Sequence, residues 1–316
     1  MLGSANIARA NFIPALRSAG GNIVTLGSRS PERATSFIEA NGLAAKASSY
    51  AEAIAHPLVE AVYVALPNHL HDEWAKAALR AGKAVLCEKP LGRTVEEVSD
   101  ILDVAGTTTG PLWEAFAFPF HAQWSALLQI IQEQTIGELR EVHSNFHFVV
   151  TDPNNIRWNS ALAGGSLNDV GCYPLHLARL LFKAEPLHSK AAIVLGGGEV
   201  DAECQALIDF GSGRRLLFSC GMRRWRDTST RLVGTAGEIR LTDPYHPGPA
   251  DTLTIIAGRQ SAVRRLVPDE PSFTEMLRRI TASVRGSEPP RHLAAEDSLG
   301  TARALELVRR SWTVWR

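Results

Sequence analysis

A short apolar run that ends in an acid, a base and a proline constrains the fold of this chain most. The run Ala84–Cys87 lies between Gly82 and Pro90 and is too short for a helix, so it predicts a buried parallel strand. It continues directly into Glu88 and Lys89, which places two charges at the carboxyl end of a strand, where open α/β sheets bind ligands. From this stretch alone, a solvated ion pair after an edge strand is an equal alternative.

The composition excludes several classes of protein. A chain of 316 residues with 45% hydrophobic and 21% charged residues is ordinary for a globular protein of about two domains. Lys plus Arg and Asp plus Glu are equal at 33 each, which argues against nucleic acid or an anionic membrane as the main partner. No apolar run reaches the length of a membrane span, and the first residues do not form a signal peptide. The 4 cysteines include no Cys-x-x-Cys pair, so we expect buried thiols in a reducing cytoplasm.

The first residues match the turn of a dinucleotide-binding βαβ unit, with the pattern Gly-x-Ala-x-x-Ala from Gly3 to Ala8. Gly3 permits the tight turn, and a small residue two positions later lets a pyrophosphate approach the backbone. The residues predicted to lie at the cofactor phosphates are Gly3, Ala5, Asn6 and Ile7. Only Met1 and Leu2 precede the pattern, where a strand of about five residues is expected. Either the first strand is nearly absent, or the true start lies upstream of Met1.

The second predicted strand, Asn22–Ser28, bears on the choice of cofactor. An NAD-specific site places an acid near the end of this strand to hold the ribose 2′-hydroxyl. This chain instead has Ser28 and Arg29 at that point, and Arg33 lies one turn further on. A hydroxyl and two guanidinium groups suit a 2′-phosphate, so we expect NADP to be preferred, with NAD as the alternative cofactor. An ordinary polar loop is the competing interpretation.

Strands and helices alternate regularly through the first third of the chain, which is typical of a parallel, doubly wound sheet. Further predicted strands are Ala61–Leu66 and Leu112–Phe116, and the predicted helices include Pro31–Asn41, one ending near Ala81, and Thr94–Val104. Residues at and after the end of the third strand are expected to line the cofactor cleft: Leu66, Pro67, Asn68 and His71. His69 and His71 have no evident third ligand nearby, so we expect no metal.

The pattern changes at Glu114, where alternating segments joined by short Gly-containing turns predict a mostly antiparallel sheet. We therefore expect residues 1–113 to form a dinucleotide-binding domain and residues 114–316 to form a second domain. The predicted strands of the second domain are Arg140–Val150, Ala191–Leu195, Cys204–Phe210, Arg214–Cys220, Thr228–Val233, Glu238–Leu241 and Thr252–Ile256. Predicted helices cover Gln123–Gln134, Phe273–Arg285 and Ala295–Arg310, and the last of these is expected to pack back on the first domain.

One further helix is predicted over Gly164–Arg179. It carries Asp169, Tyr173 and His176 at positions i, i+4 and i+7, which lie on one face of a helix. A buried face with a carboxylate, a phenol and an imidazole requires hydrogen-bonding partners. The residues alone leave two interpretations open, a helix braced by its own polar groups or a helix that contributes to a site.

With Glu88-Lys89-Pro90 and the segment Asp169–Pro174, the chain resembles the glucose-fructose oxidoreductase, inositol dehydrogenase and rhizopine-catabolism (Gfo/Idh/MocA) family over nearly its full length. Other matching stretches are Ser28-Arg29, Pro67–His71, Glu114–Phe116, Asn155–Trp158 and Ala294–Ser298. The resemblance implies an α/β plus α+β fold, in which a Rossmann dinucleotide-binding domain precedes an open-faced, mostly antiparallel sheet domain. That sheet commonly forms an oligomer interface in the family. The implied activity is hydride transfer between NAD(P) and a sugar, cyclitol or related diol.

The resemblance also implies roles for individual residues. The catalytic residues it implies are Lys89, Tyr173, Asp169 and His176, and the further cofactor contacts are Glu88, Lys89, Arg157 and Trp158. Lys89 would accept the hydroxyl proton as hydride leaves the same carbon, and Tyr173 would hydrogen-bond the same oxygen. The family also includes members that bind the dinucleotide as regulators and catalyse nothing. The retained Lys89 and Tyr173 weigh against that second reading of the chain.

Overall fold

The computed structural model describes residues 1–258, 260–265, 271–286 and 295–315. In chain order its helices are α1 (Ile13–Ser18), α2 (Pro31–Ala40), α3 (Tyr50–Ala55), α4 (His71–Arg80), α5 (Val95–Thr107), α6 (Ala122–Gln132), α7 (Cys172–Phe182), α8 (Ser272–Val284) and α9 (Ala295–Ser311). Its strands are β1 (Thr25–Gly27), β2 (Lys46–Ser48), β3 (Ala61–Val64), β4 (Ala84–Cys87), β5 (Leu112–Glu114), β6 (Leu139–Val149), β7 (His188–Leu195), β8 (Asp201–Asp209), β9 (Arg215–Gly221), β10 (Arg223–Asp227), β11 (Thr230–Gly234), β12 (Gly237–Leu241), β13 (Thr252–Ala257), β14 (Gln260–Arg265) and β15 (Trp312–Trp315). Two π-helical turns, Ala8–Phe12 and Leu167–Gly171, run directly into α1 and α7.

The chain divides into two compact units. The first unit contains Met1–Phe116 and Phe273–Leu299, and the second contains Ala117–Ser272 and Gly300–Arg316. The sequence suggested one boundary before Glu114 and assigned everything after it to the second domain. The structure instead groups α8 with the first unit, where its side chains Leu277 and Ile280 are buried against apolar residues that surround the parallel sheet. Of the matching stretch near the end of the chain, Ala294 lies outside the described residues.

The first unit is built on a parallel sheet, as predicted. β1 pairs with β2, and β3, β4 and β5 pair in that order, always in parallel. Leu2 joins the two groups, because it forms an isolated parallel bridge to Gly27 and another to Val64. The resulting order, β2-β1-Leu2-β3-β4-β5, is that of a doubly wound dinucleotide-binding domain.

Leu2 therefore lies at the position expected for the first strand of the sheet. The Leu2 amide donates to the Tyr63 carbonyl at 2.9 Å, and its carbonyl accepts from the Ala65 amide at 3.0 Å. Toward the amino ends of β1 and β3, the sheet has a partly open pocket of 190 Å³, lined by both polar and apolar residues, instead of strand. This explains why β1 begins at Thr25 and not at Asn22 as predicted, since a ladder needs a partner on which to form. The sequence analysis also missed β2 and α3, which are short.

Side-chain caps fix where helices of the first unit begin. Ser30 and Thr94 accept hydrogen bonds, each at 3.2 Å, from backbone N–H groups three residues on at the starts of α2 and α5. Ser49 and Glu52 form a reciprocal capping box at the start of α3. Caps of this kind stabilise a helix by about 1 kcal/mol each. They start α2 soon after the carboxyl end of β1, which keeps the loop that carries Ser28 and Arg29 short.

The second unit is built on a long sheet with the strand order β14-β13-β12-β11-β6-β9-β8-β7-β15. Neighbouring strands are antiparallel, except that β6 pairs with β9 and β7 pairs with β15 in parallel. β10 lies off this path and pairs antiparallel with β6. The predicted fold class, a Rossmann domain followed by a mostly antiparallel sheet domain, is confirmed.

The two faces of the long sheet differ. Along β8, Cys204 and Ile208 are buried, whereas the alternating Gln205 and Leu207 are exposed. α7 packs on β6 and β9, and its residues from Cys172 to Arg179 are all buried. The opposite face carries polar and charged side chains among scattered apolar ones. Within the described part of the chain, no helix combines the length and the apolar character needed to cross a membrane.

Three strands of this sheet were not predicted. β10 has the sequence Arg-Arg-Trp-Arg-Asp and is largely exposed, so it has no apolar alternation to reveal it. β14 contains one large apolar residue, Val263. β15 follows α9 without a glycine or proline between them, and so the boundary carries no local signal.

Candidate active site

Gly3 shapes the loop that follows Leu2. Its φ of +89° is disfavoured for other residues, and a Cβ built there would lie 2.4 Å from the Ala65 carbonyl oxygen. The Gly3 amide donates to the Gly27 carbonyl at 2.9 Å, which ties the loop to the end of β1. Ala5 and Ile7 are half-buried and Asn6 is exposed in the turn that opens the π-helical segment. The loop is therefore a close, small-residue cradle at a helix start, which fits the pyrophosphate of a dinucleotide.

The carboxyl end of β1 carries the residues predicted to select the cofactor. Ser28 is half-buried, and its Oγ accepts from the Ser30 amide at 3.1 Å. Arg29 and Arg33 are exposed on the loop and on the first turn of α2. The acid of this turn, Glu32, accepts from the Ser30 hydroxyl at 2.8 Å. Two guanidinium groups thus lie beside the strand end while the neighbouring carboxylate already has a partner.

The segment after β3 forms a short turn into α4. Leu66 is buried, and Pro67 and Asn68 are half-buried at the start of a 3₁₀ turn. His71, the first residue of α4, is fully buried, with Nδ1 2.8 Å from the Pro90 carbonyl oxygen and Nε2 2.9 Å from the Leu66 carbonyl oxygen. Both ring nitrogens therefore face backbone. The expectation that His71 lines the cofactor cleft stays a prediction, and the structure places its ring in a buried bridge between two backbone carbonyls.

Lys89 stands at the carboxyl end of β4 in a segment that is fixed on both sides. The Glu88 carboxylate accepts from the Tyr63 hydroxyl at 2.6 Å, and the Leu91 amide donates to the Glu114 carboxylate at 2.9 Å. The Lys89–Pro90 peptide bond is cis. Lys89 itself is half-buried. The sheet edge thus presents one lysine side chain from a backbone that neighbouring elements hold in place.

The two acids near Lys89 are buried, and they raise the pKa of a neighbouring thiol. Glu88 is 8% exposed and Glu114 is 3% exposed. Burial raises the pKa of Cys87 well above its usual value, and the carboxylates of Glu114 and Glu88 raise it further. The Cys87 side chain is consequently a neutral thiol, and it supplies no nucleophile to this edge of the sheet.

In the second unit, Asp169 is bound to Arg157. Its two carboxylate oxygens accept from Nε and Nη2 of Arg157 at 2.6 and 3.2 Å, and the Arg157 guanidinium lies 5.5 Å from the centre of the Phe148 ring. Asp169 raises the pKa of Arg157 above its usual value, and Tyr173 contributes to the same effect. Arg157 is therefore a fixed cation close to the Tyr173 side chain.

In the second unit, the Trp158 indole packs against Gly196. A Cβ built at Gly196 would lie 2.9 Å from Cζ3 of the indole. The guanidinium of Arg223 lies 5.9 Å from the centre of the Trp158 ring. Trp158 is half-buried, so part of its ring remains exposed beside the Arg223 cation.

Tyr173 lies in a cluster of aromatic side chains. Its ring centre is 5.1 Å from that of Phe146, 5.2 Å from that of Tyr245 and 5.5 Å from that of His246. Tyr245 is fully buried and hydrogen-bonds Ser144, and burial raises its pKa far above the usual value. Tyr245 is thus a neutral structural phenol, whereas the neighbouring Tyr173 lies near the Arg157 cation.

His176 belongs to a separate buried network. Its Nδ1 lies 2.9 Å from the Thr301 hydroxyl, which also accepts from Arg179 at 2.9 Å. Arg179 in turn donates to both oxygens of Glu185 at 2.8 and 2.6 Å. Burial and then the Arg179 cation lower the pKa of His176 to about 3, so its ring is neutral at physiological pH. The catalytic role expected of His176 stays a prediction, and the structure places its ring in a buried network with Thr301 and Arg179.

Within each unit the structure brings together residues that the sequence had only grouped by motif. It joins Lys89 with His71 in the first unit and Tyr173 with Arg157 in the second. Sequence reasoning missed Tyr63, Glu114 and Tyr245 as supporting residues. Glu114 did carry a signal, because it is an acid inside the otherwise apolar predicted strand Leu112–Phe116. Among the described residues, no group of three His, Cys, Asp or Glu side chains is placed to hold a metal ion.

Comparisons with known proteins identify the family of this chain. The family model for the oxidoreductase family with an NAD-binding Rossmann fold matches residues 1–116, and the model for the GFO/IDH/MocA C-terminal domain matches residues 124–240. An uncharacterized oxidoreductase of Rhizobium meliloti is 34% identical over 98% of this chain and 95% of its own length. The D-xylose 1-dehydrogenase (NADP(+)) 2 of Haloferax volcanii is 28% identical over 98% of this chain and 96% of its own.

A solved structure extends the match to three dimensions. The crystal structure of a 3-ketoreductase from Actinomadura kijaniata in complex with NADP and TDP-benzene has a TM-score of 0.91 and 28% identity, and the match covers 99% of this chain and 97% of that one. The matched models and relatives span both units described above. The chain belongs to the GFO/IDH/MocA family of oxidoreductases, whose first domain is an NAD-binding Rossmann fold.

Proposed function

We propose that this protein is an NADP-preferring dehydrogenase or reductase that transfers hydride between the nicotinamide and a hydroxyl or keto carbon of a sugar, cyclitol or related diol. The observation that carries the proposal is Lys89, held at the carboxyl edge of the parallel sheet between two anchored neighbours. The sugar substrate of the xylose dehydrogenase and the NADP complex of the 3-ketoreductase support it. A bound nicotinamide would supply or accept the hydride, so the protein itself has to bind, orient and move a proton.

The preference for NADP rests on the end of β1. Arg29 and Arg33 are exposed cations beside the Ser28 hydroxyl, and the carboxylate of Glu32 is engaged with Ser30. Two charge-assisted contacts at roughly 1.5–3 kcal/mol each give at least tenfold tighter binding of the 2′-phosphate form. Titration of the protein with both cofactors tests this, and equal affinities or tighter NAD binding would refute it.

The proposed proton-transfer group is Lys89. In the oxidative direction its neutral amine accepts the hydroxyl proton, and in the reductive direction its ammonium donates a proton to the forming alkoxide. The anchors at Glu88 and Leu91 keep the backbone on both sides in one place, so the amine reaches a defined point.

In the second unit we assign Tyr173 as the hydrogen-bond donor to the reacting oxygen. Arg157 supports it as a nearby cation, and Asp169 acts by holding Arg157 in its bidentate pair. His176 acts structurally, through Thr301. Trp158 and Arg157 are proposed as contacts of the cofactor, as the family resemblance implies.

The decisive experiment combines a substrate panel with one substitution. Aldoses, cyclitols and aromatic trans-dihydrodiols are incubated with NADP and the enzyme, and the nicotinamide absorbance band is followed. For the substrate found, Lys89→Met should lower single-turnover hydride transfer by about 10²–10⁴-fold and leave NADP affinity unchanged. Lys83→Met is the matched control, because Lys83 lies at the opposite end of β4, where it donates to the Val59 carbonyl at 2.7 Å. Near-normal hydride transfer in Lys89→Met would remove Lys89 from the mechanism and favour a cofactor-sensing role.

Two further assignments complete the proposal. We infer a homo-oligomer that forms through the open face of the long sheet, on which Leu207 is 44% exposed among polar neighbours. Light scattering should show that Leu207→Glu shifts the assembly toward monomer, and an unchanged mass would refute this interface.

A cytoplasmic location is supported by the cysteines, all four of which are buried thiols.

A further inference from the structure

Asp201, the first residue of β8, is a buried acid to which the proposed mechanism assigns no role. It is 8% exposed, and its Oδ2 accepts from the Ser166 hydroxyl at 2.8 Å and from the Leu167 amide at 2.6 Å. A Cβ built at Gly165, where φ is +101°, would lie 2.2 Å from Oδ1 of the same carboxylate. Asp201 thus holds Gly165–Leu167 against the sheet, at the point where the π-helical turn that leads into α7 begins.

The segment that Asp201 holds contacts Arg157 at two points. The Gly165 amide donates to the Arg157 carbonyl at 2.9 Å, and a Cβ built at Gly164 would lie 2.4 Å from the same oxygen. The Asp169 amide donates to the Gly165 carbonyl at 3.2 Å, and the Asp169 carboxylate accepts from Nε and Nη2 of Arg157 at 2.6 and 3.2 Å. The position of this segment therefore sets both the backbone and the side chain of Arg157.

Stability alone does not explain an ionised acid at this place in the fold. Burial raises the pKa of Asp201 from 3.8 to about 6, although the bonds from Leu167 and Ser166 and the Arg309 cation lower it. Because the folded-state pKa lies above the unfolded value, the ionised carboxylate destabilises the fold near pH 7. What the carboxylate adds is a charged acceptor for two donors, and charge-assisted hydrogen bonds are stronger than those of a neutral amide.

We propose that Asp201 is a positioning residue: by holding Gly165–Leu167 on β8, it fixes the pair of Arg157 and Asp169 at the start of the helix that carries Tyr173. This inference rests on the proposed roles of Arg157 and Tyr173 in the site. Asp201 acts through the segment and touches neither substrate nor cofactor in this role. The role predicts that loss of the charge slows turnover without loss of stability.

Two substitutions of Asp201 test this prediction. Asp201→Asn removes the charge and keeps the shape, whereas Asp201→Ala removes both. At saturating NADP, we expect single-turnover hydride transfer to fall about 3–10-fold in Asp201→Asn and about 10–100-fold in Asp201→Ala. The melting temperature of Asp201→Asn at pH 7 should equal or exceed that of the wild type. Wild-type hydride transfer in Asp201→Asn, or a fall that accompanies a lower melting temperature, would overturn the inference.

A double-mutant cycle tests whether Asp201 acts through Arg157. In the Arg157→Ala background, Asp201→Asn should change hydride transfer less than about twofold, because the guanidinium that it positions is gone. A full additional loss in that background would overturn the inference.

The matched control is Asp227→Asn on β10. Oδ1 of Asp227 likewise accepts from a serine hydroxyl and a backbone amide, those of Ser229, at 2.6 and 2.9 Å. Hydride transfer in Asp227→Asn should stay within about twofold of the wild type. An equal fall in Asp227→Asn and Asp201→Asn would show that the effect is not specific to the segment Gly165–Leu167, and the inference would be overturned.

A readout that does not depend on activity separates this inference from the proposed function. Ser166→Ala removes one of the two bonds to Asp201 and leaves the Leu167 amide in place, so it serves where Asp201 variants fail to fold. The Nε–H signal of Arg157, assigned in ¹⁵N spectra by its absence in Arg157→Lys, should exchange with water at least about threefold faster in Ser166→Ala and Asp201→Asn than in the wild type. Unchanged exchange would overturn the inference and leave the proposed function standing, since that function is tested by Lys89→Met.

Discussion

A short apolar segment added before Met1 should stabilise the first unit, because the sheet has room for it. Leu2 forms isolated bridges to β1 and β3, and toward the amino ends of these strands lies a partly open pocket of 190 Å³ with polar and apolar lining. Residues that line the cavity include Ile23, Val24, Ala61, Val62, Leu277 and Ile280. Four added residues such as Arg-Ile-Ala-Val would continue the ladder in which the Met1 amine already donates to the Thr25 carbonyl at 2.9 Å.

Packing, ordering and charge set the size of the effect. Filling 190 Å³ contributes about 4–5 kcal/mol at roughly 24 cal/mol per Å³. Four new backbone hydrogen bonds of about 1 kcal/mol each offset only half of the roughly 8 kcal/mol needed to order four residues. Burial lowers the pKa of the Met1 amine from 8.0 to about 5, and moving the amine into water recovers about 1.4 kcal/mol at pH 7. The net gain is about 2 kcal/mol, or about 4–8 °C in melting temperature.

The charge contribution can be separated by pH. The folded-state pKa of the amine lies below the unfolded value, so between pH 5 and pH 8 the unfolded chain binds more protons and stability falls as pH is lowered. An extension of Gly-Ser-Gly-Ser also moves the amine into water, but it leaves the cavity unfilled. Scanning calorimetry at pH 5.5 and pH 8 should therefore show the same reduced pH dependence for both extensions, and a higher melting temperature for the apolar one. Equal melting temperatures of the two extended proteins would refute the reasoning about the cavity.

Three further changes test other parts of the molecule. Replacing Arg29 and Arg33 by Ala should weaken NADP binding at least tenfold and NAD binding less than about threefold in parallel titrations. Tyr173→Phe should slow single-turnover hydride transfer less than Lys89→Met does, since it removes one hydrogen bond and leaves the base. Burial raises the pKa of Asp201 to about 6 from 3.8, so its folded form holds an extra proton and stability is lost as pH rises from 4 to 6. Asp201→Asn should abolish about 3 kcal/mol of that loss in urea unfolding.

The strands that were predicted well are those whose signal is local. β4 is apolar along its whole length and is bounded by Gly82 and Pro90, so its ends coincide with the prediction. The alternation of apolar and polar residues along β6 and β8 likewise matches the observed burial, because α7 covers one face of that sheet. The sequence pattern predicts a strand less well where its length depends on a distant partner. β1 is shorter than its apolar run, because among the described residues the neighbouring strand position holds only Leu2.

The residues of the candidate site also differ in how far a local sequence pattern reveals their surroundings. Motif reasoning could single out Lys89, because a lysine after a buried strand and before a proline is visible in the sequence. It could not show the buried bridge of His71, because that bridge depends on where the Pro90 and Leu66 carbonyls point. It also gave no sign of the bond between His176 and Thr301, which spans 125 residues and has no counterpart in any local pattern.

In the first unit, the residues proposed to bind the cofactor phosphates and the segment around Lys89 are held by different sets of hydrogen bonds. Gly3 and Ser28 lie where the loop after Leu2 and the end of β1 meet, with Arg29 next in the chain, and the bonds of Gly3 and Ser28 run to Gly27 and Ser30. The segment around Lys89 is held by a different set of bonds, from Tyr63, His71 and Glu114. Changes in the first set should therefore alter the affinity for cofactor, and changes in the second set should alter turnover at saturating cofactor. A substitution at Tyr63 or Glu114 that weakened NADP binding without slowing hydride transfer would contradict this division.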